Sequence, residues 1–315
     1  MKAVPLLLAL SALIMPALPA SSDPSREARG ALQAGTSDCT RSATTDLVTR
    51  GGAQLAARAD GTGPGVLLIP SLGRGAADFD HLAAALVAAG YRVIRFEPRW
   101  FAPSDGPEDA DLFALAADAL AVADALCGAP VDIVGHAFGN RVARAAATAR
   151  PEQVRTVTLL AAGGLVPLAP EVRAAIEGSV AQGLKPDAER LADLRLAFFA
   201  AGQDPAVWLD GWNPRAATLQ SAATQRTPRE AWWSAGRAPI LVIQASEDPV
   251  APLANGEALR AGAPDRVVAL RLDHASHAML PEQPAAIAAA LTAWLGGERD
   301  PQRLQSGIEG STHRP

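Results

Sequence analysis

The sequence has few residues of the kinds that hold metals, and it has no excess of positive charge. It contains two cysteines and five histidines among 315 residues, and no group of them has the spacing of a metal site. The formal net charge is -5 and the pI is about 5.6, which argues against a surface that binds nucleic acid. We therefore expect no metal, no cofactor and no nucleic-acid partner.

Long apolar runs are missing beyond the N-terminus. Residues 1–22 are typical of a secretory signal peptide, with a positive start, an apolar stretch over 4–18 and small residues at the end. Cleavage is expected after Ser22 or after Ala20, and an uncleaved amphipathic N-terminus is the alternative. No later segment has about 18 unbroken apolar residues, so we expect an exported chain, periplasmic or secreted, with no membrane span after cleavage.

The two cysteines permit at most one disulfide within the chain. If Cys39 and Cys127 were joined in an exported protein, the bond would tie an N-terminal arm over 23–44 to the end of a helix. Alternatively they are independent thiols, and Cys127 packs as a small hydrophobic side chain. The sequence leaves both possibilities open.

Strand and helix signals alternate from Asp46 onward. Continuous apolar runs that are typical of doubly covered strands, such as 65–70 and 240–244, alternate with segments of helical periodicity such as 76–89. This alternation predicts an α/β protein with a mostly parallel sheet covered by helices on both faces. In such folds ligands bind beyond the carboxyl ends of the strands.

The alternation is interrupted over about 165–236, which has several helical stretches and no clear strand. We expect this segment to form a helical cap over the site. It contains four of the six tryptophans: Trp208, Trp212, Trp232 and Trp233. These side chains either line an apolar pocket or attach the cap to the body, and we favour the second role for most of them. The main domain is predicted to span 45–297, and the polar segment 298–315 is expected to be a flexible tail.

The most informative local motif is Gly135-His136-Ala137-Phe138-Gly139, which follows a predicted strand and opens a predicted helix. This is the context of the G-x-S-x-G nucleophile elbow, whose glycines permit a tight turn that exposes the middle residue at the top of the sheet. Ala137 occupies the position where a serine is expected. A methyl group cannot attack a substrate, and losing a nucleophilic serine costs on the order of a millionfold in kcat.

With this motif the chain resembles the lid-bearing α/β-hydrolase superfamily over most of residues 45–297. Residues 68–75 resemble the first oxyanion loop, 244–250 resemble the loop of the triad acid, and 276–284 resemble the loop of the triad histidine. Residues 97–104 resemble the D-x-R-G-x-G-x-S loop but lack both of its glycines. The resemblance implies the α/β-hydrolase fold, a mostly parallel twisted sheet flanked by helices with a helical cap insertion.

The resemblance also implies roles for individual residues. His277 would be the general base, and Asp248 would fix its tautomer and stabilise the imidazolium ion. The backbone N–H groups of Phe138 and Leu72 would form an oxyanion hole. Because these donors need no particular side chain, the hole would survive an alanine at position 137.

Several other residues could contribute. Ser71 could replace the missing nucleophile, or it could be a turn residue that bonds its own backbone. His136 could act directly or pack beneath the site, and His274 is the alternative base if the register of its loop is different. Arg99 and Arg141 are expected to form structural salt bridges, although either could meet an acidic substrate.

Three functions are compatible with these residues. The first is hydrolysis of an ester or similar small apolar substrate, in which the His277–Asp248 pair activates water in the space that Ala137 leaves. The second is proton abstraction by the same pair, as in lyases or cofactor-free oxygenases that resemble this fold. The third is binding of a small ligand without catalysis. A retained acid and base favour the first two, and the oligomeric state is open.

Overall fold

The structure is a computed structural model that describes residues 38–42 and 44–312 of the chain. The predicted signal peptide over 1–22 and most of the predicted N-terminal arm lie outside the described residues. Within the described residues, no helix is both long enough and apolar enough to cross a membrane.

An eight-stranded sheet forms the centre of the molecule. Its strands are β1 (Thr45–Arg50), β2 (Ala53–Asp60), β3 (Gly65–Ile69), β4 (Arg92–Phe96), β5 (Val131–His136), β6 (Val154–Leu160), β7 (Ile240–Ala245) and β8 (Val267–Leu272). The strand order is β1-β2-β4-β3-β5-β6-β7-β8. The pairs β1–β2 and β2–β4 are antiparallel and the other pairs are parallel, which confirms the predicted mostly parallel sheet.

Ten α-helices surround the sheet in the described part of the chain. They are α1 (Asp80–Ala88), α2 (Leu112–Leu126), α3 (Phe138–Ala149), α4 (Pro170–Val180), α5 (Asp187–Ala197), α6 (Pro214–Gln225), α7 (Leu253–Gly262), α8 (Met279–Glu282), α9 (Pro284–Leu295) and α10 (Pro301–Thr312). Every residue of β3, β5 and β7 is buried, because helices cover both faces of these central strands. One apolar core packs α2 and α3 against one face, and a second packs α1 and α9 against the other.

The segment between β6 and β7 contains helices and short 3-10 turns but no strand. Helices α4, α5 and α6 lie here with the turns Pro205–Trp208 and Arg229–Ala231. Four aromatic side chains dominate a third apolar cluster in this segment: Phe198, Phe199, Trp208 and Trp212. We call residues 165–236 the cap.

The expectation of a flexible tail over 298–315 is wrong for most of that segment. Pro301–Thr312 is the helix α10, and Leu304 and Ile308 are each only 1% exposed. These two apolar residues are four positions apart, so they lie on one face of the helix and join the core shared by α1 and α9. Two apolar residues in a polar segment are a weak sequence signal, which is why composition alone suggested a loose end.

Helix α10 also protects the edge strand β8. The side-chain amide of Gln305 donates to the carbonyl of Arg271 (3.0 Å) and accepts from its backbone N–H (3.1 Å). A paired strand edge is less available to another chain.

The two cysteines form a disulfide, Cys39–Cys127. Beside it, the backbone N–H of Thr40 donates to the carbonyl of Cys127 (2.8 Å), and that of Cys39 donates to Gly63 (3.2 Å). The start of the described chain is therefore attached to the C-terminal end of α2.

Candidate active site

The turn between β5 and α3 has the conformation of a nucleophile elbow although its central residue is alanine. Ala137 has φ +49° and ψ −109°, a region that residues with a Cβ rarely occupy. A Cβ on Gly135 would lie 2.5 Å from the backbone of Gly139, and one on Gly139 would lie 2.1 Å from the carbonyl oxygen of Ile69. The two glycines therefore permit a turn this tight, with Ala137 at its apex.

His277 and Asp248 lie close together, and both are buried. His277 Nδ1 is 2.8 Å from Asp248 Oδ2, while Asp248 Oδ1 accepts hydrogen bonds of 2.8 Å from the backbone N–H groups of Val250 and Ala251. Because a carboxylate only accepts, Nδ1 carries the proton, which leaves Nε2 of neutral His277 as a base. Both oxygens of Asp248 are thus committed to fixing the orientation of the imidazole.

His136 supports the loop of His277 from beneath. It is fully buried, and its Nε2 lies 2.9 Å from the carbonyl oxygen of His277. A carbonyl can only accept, so Nε2 carries the proton. Burial, and secondarily the nearby His277, lowers the pKa of His136 to about 3, so this ring is neutral at ordinary pH. Of the two roles considered for His136, the contacts favour packing and positioning over proton transfer.

The other two candidate side chains, those of His274 and Ser71, form no hydrogen bond with the pair. His274 is exposed, with φ +56°, and its ring has no hydrogen bond to a described residue. Ser71 is buried and its carbonyl accepts from the backbone N–H of Arg74, but its hydroxyl makes no hydrogen bond to His277. No contact of either residue supports its role as a substitute base or nucleophile.

The oxyanion loop is held directly against the first turn of α3. The close approach of Gly139 to the carbonyl oxygens of Ile69 and Pro70 places the loop there. Next to Leu72, the backbone N–H of Gly73 donates to the Gln220 side chain at 2.8 Å. Phe138 is the first residue of α3, so its N–H has no acceptor within the helix. Both expected oxyanion donors therefore lie on backbone segments that adjoin the elbow.

Aromatic side chains of the cap cover the histidines. The Phe198 ring lies 5.4 Å from that of His277, and the Trp208 ring lies 6.1 Å from that of His136. The Phe198 carbonyl also accepts a 2.7 Å hydrogen bond from the backbone N–H of Ala278. The cap is thus bonded to the histidine loop and roofs it with apolar groups.

Arg74 attaches the oxyanion loop to the cap, a role that the sequence analysis missed. Its guanidinium carbon lies 4.8 Å from the rings of both Trp208 and Trp212, and its Nη1 donates to the Asp210 carbonyl at 2.7 Å. Asp78 holds the same guanidinium by two hydrogen bonds, at 2.9 and 2.6 Å. The i,i+4 spacing of Arg74 and Asp78 was a visible signal, but nothing in the sequence indicated the tryptophans.

Glu282 is a second connection that the sequence did not reveal. Its carboxylate accepts from the backbone N–H groups of Ala200 in the cap (2.7 Å) and Ser276 in the histidine loop (2.6 Å). Burial raises its pKa, and the two N–H donors oppose that rise. The position of His277 is therefore coupled to the cap.

The two arginines that were expected to form salt bridges differ. Arg99 makes two hydrogen bonds to the buried carboxylate of Asp118, at 2.5 and 3.0 Å, which confirms the expectation for Arg99. Arg141 forms no ion pair with a described residue, so the expectation is wrong for Arg141. Its guanidinium instead lies 5.9 Å from the ring of Trp232.

Comparisons with known proteins agree with this architecture. A candidate non-heme bromoperoxidase of Mycobacterium tuberculosis, BpoC, is 33% identical over 108 residues, which are 33% of this chain and 40% of that protein. Rhodomycin D methylesterase DnrP of Streptomyces peucetius is 33% identical over 121 residues, 36% of this chain and 41% of that protein. The match thus spans about two-fifths of the length of these relatives.

Solved structures and a family model extend the comparison to most of the chain. The enol-lactonase from Burkholderia xenovorans LB400 has a TM-score of 0.66 at 20% identity, and the match covers 80% of this chain and 99% of that one. This likeness concerns the fold. The model of the alpha/beta hydrolase family matches residues 66–290. The chain belongs to the alpha/beta hydrolase family.

Proposed function

We propose that this protein hydrolyses a small ester, with water taking the place of a serine nucleophile. The observation that carries the proposal is the 2.8 Å hydrogen bond between His277 Nδ1 and Asp248 Oδ2. The ring of His277 lies 5.5 Å from that of His136, the residue before Ala137, and Ala137 has the backbone conformation of an elbow. A base with an oriented lone pair and a turn that exposes backbone N–H groups are what water-mediated acyl transfer needs.

The reaction follows from these groups. Nε2 of His277 takes a proton from a water molecule, whose oxygen attacks the ester carbonyl carbon. The N–H groups of Phe138 and Leu72 donate to the oxyanion of the tetrahedral intermediate. Asp248 stabilises the imidazolium, which then gives its proton to the departing alkoxide. The products are a carboxylic acid and an alcohol, and no covalent acyl-enzyme forms.

The relatives support this reaction class. One curated relative is named a methylesterase and one structural neighbour an enol-lactonase, and both names describe cleavage of an ester-type bond. The roof of Phe198 and Trp208 favours an apolar group on the part of the substrate that faces the two histidines.

Export is part of the same proposal. The Cys39–Cys127 disulfide supports it, because disulfides persist in oxidising compartments outside the cytosol. Cell fractionation of the full chain should place the processed protein outside the cytoplasm. Recovery of the unprocessed chain in the cytoplasmic fraction, with both thiols free, would contradict export.

The test of the hydrolytic proposal is p-nitrophenyl butyrate hydrolysis by the purified protein and two variants. His277→Gln should lower kcat by about 10²–10⁴-fold because it removes the general base. His274→Gln is the matched control, since it changes an exposed histidine three residues earlier, and its rate should equal that of the parent.

Three outcomes would redirect the proposal. Equal rates for the parent and His277→Gln would show that the His277–Asp248 pair does not contribute to hydrolysis. Deuterium uptake into a substrate C–H position without ester cleavage would favour proton abstraction. Thermal stabilisation by esters without any turnover would favour the binding protein.

A further inference from the structure

Arg141, which is partly exposed, and Arg144, which is buried, form a cationic cluster without an acidic partner among the described residues. They lie three positions apart on α3, so their side chains share one face of that helix. Neither forms an ion pair with a described Asp or Glu. This differs from Arg99, whose guanidinium is neutralised by Asp118.

The guanidinium of Arg144 is fully buried and only partly satisfied. Its Nη2 donates to Asn140 Oδ1 (2.6 Å) and to the Gly163 carbonyl (3.0 Å), and its Nε donates to the Asn140 carbonyl (3.2 Å). Its Nη1 is shielded from solvent and has no acceptor among the described residues. Arg141 is partly exposed, and its guanidinium has no hydrogen bond to any described residue.

Trp232 is the third residue of the cluster that has an unpaired N–H donor. Its ring lies 4.5 Å from the guanidinium carbon of Arg144 and 5.9 Å from that of Arg141, and its buried Nε1 has no acceptor in the described part of the chain. The unpaired polar groups gathered here are therefore all donors. Because buried polar groups are normally hydrogen-bonded, the cluster lacks an acceptor.

The charge of the cluster specifies what kind of acceptor fits. Burial lowers the pKa of both guanidinium groups, and the charge of Arg141 lowers that of Arg144 further. Arginine nevertheless stays protonated in proteins, so two positive charges remain close together without a counter-charge. A negatively charged acceptor would satisfy the donors and offset the cost of burying the charges.

The cluster lies on the helix that begins at the elbow. Arg141 follows Ala137 by four residues, which is about 6 Å along the axis of α3. Trp232 belongs to the end of the cap, and its ring would lie 3.2 Å from a Cβ on Gly164, the residue immediately before the cap. A ligand group held at Arg141 would thus lie under the base of the cap, about one helical turn from the elbow.

We propose that Arg141, Arg144 and Trp232 form a subsite for a carboxylate of the substrate, which is then a half-ester of a short dicarboxylic acid. The planar guanidinium of Arg141 matches a carboxylate by two parallel hydrogen bonds. Placing the ester carbonyl at Ala137 rests on the proposed function, whereas recognition of the carboxylate does not.

Binding is tested with glutaramate and glutaramide, two compounds without an ester that differ in whether one end is a carboxylate or a neutral amide. Titration calorimetry on the full chain should show that glutaramate binds more tightly. Arg141→Gln should weaken glutaramate binding roughly 10- to 100-fold, the range for hydrogen bonds to a charged group. Arg173→Gln, at an exposed cap arginine with no ion pair to a described residue, is the charge-matched control and should bind as the parent does.

Two further measurements keep the test decisive. Trp232→Phe keeps an aromatic ring but removes the indole N–H, so it should weaken glutaramate binding several-fold even if an Arg141 variant folds poorly. Acetate should bind more weakly than glutaramate, since it lacks the chain that reaches the elbow. Equal binding of glutaramate and glutaramide, or of acetate and glutaramate, would overturn the proposal.

Turnover separates this inference from the proposed function. Monomethyl glutarate should be hydrolysed with a higher kcat/KM than dimethyl glutarate, and the ratio should fall toward one in Arg141→Gln. If glutaramate binds as expected but neither ester is hydrolysed, the carboxylate subsite is supported and the hydrolase function is contradicted. Equal kcat/KM for the two esters would leave the hydrolase function and remove the subsite.

Discussion

The two sides of the candidate site differ in the catalytic groups that they supply. The loops after β7 and β8 hold a complete hydrogen-bonded pair, Asp248 and His277, and both oxygens of the carboxylate are used. The turn after β5 has the backbone conformation of a nucleophile elbow, with Ala137 at φ +49°, but carries no nucleophilic side chain. The difference teaches that the geometry of an elbow is set by its glycines and its packing against the oxyanion loop, not by the hydroxyl at its apex.

The largest effect is expected from a substitution that removes the difference between the two sides by giving the elbow a nucleophile. Ala137→Ser should increase p-nitrophenyl butyrate hydrolysis by several orders of magnitude, because a serine nucleophile in a working triad is worth on the order of a millionfold in kcat. The variant should also react covalently with a serine-directed phosphonate, detected by intact-protein mass spectrometry. Phosphonate labelling of the unaltered protein would instead point to another serine, such as Ser71.

The pH dependence of stability tests whether His136, which supports the loop of His277, is a neutral buried ring. The pKa of His136 is about 3 in the folded protein, against 6.5 ordinarily. Between these two pH values the unfolded chain is protonated at this residue while the folded chain is not. The contribution of His136 to stability is complete above pH 6.5, and about 1.4 kcal/mol is lost for each pH unit down to about 3.

His136→Gln keeps a donor on the side chain and removes the titration. The slope of unfolding free energy against pH between 6.5 and 3 should therefore be shallower in His136→Gln than in the parent, as measured by urea unfolding monitored by circular dichroism. His81→Gln, at an exposed histidine, is the control and should leave the slope unchanged. Identical slopes for His136→Gln and the parent would contradict a neutral buried ring.

The smallest expected effect concerns the backbone of the elbow itself. Ala137→Gly should stabilise the protein, or leave its stability unchanged within about 1 kcal/mol, because glycine relieves the cost of a positive φ. Ala84→Gly, at an exposed position inside α1, should destabilise by about 1 kcal/mol. Equal destabilisation by the two substitutions in thermal unfolding would show that Ala137 is not strained.

Much of the architecture was predictable because the signals are local. The apolar runs of β3 and β7 correspond to strands buried on both faces. The elbow motif and the loops of Asp248 and His277 could be recognised because each depends on a few neighbouring residues. The helix α10, with only Leu304 and Ile308 on its apolar face, gave too weak a local signal.

The contacts between the cap and the body were not predictable in the same way. Arg74 is hydrogen-bonded to Asp210, 136 positions later in the sequence, and Glu282 is hydrogen-bonded to Ala200, 82 positions earlier. The isolation of Arg141 from any described acid is likewise a property of packing, since the sequence offers acids on most neighbouring elements. Pairings between distant segments depend on where each segment lies in space.

The sequence by itself determined the alternation of strands and helices, the alanine at the elbow, and the order of the acid and the histidine, because these depend on local composition and spacing. Only the tertiary structure decided that His136 is a neutral support, that the cap is bonded to the oxyanion and histidine loops, and that Arg99 is paired while Arg141 is not. The physical reason is that burial and charge pairing act through space, and their free energies depend on neighbours that the chain brings together only when it folds.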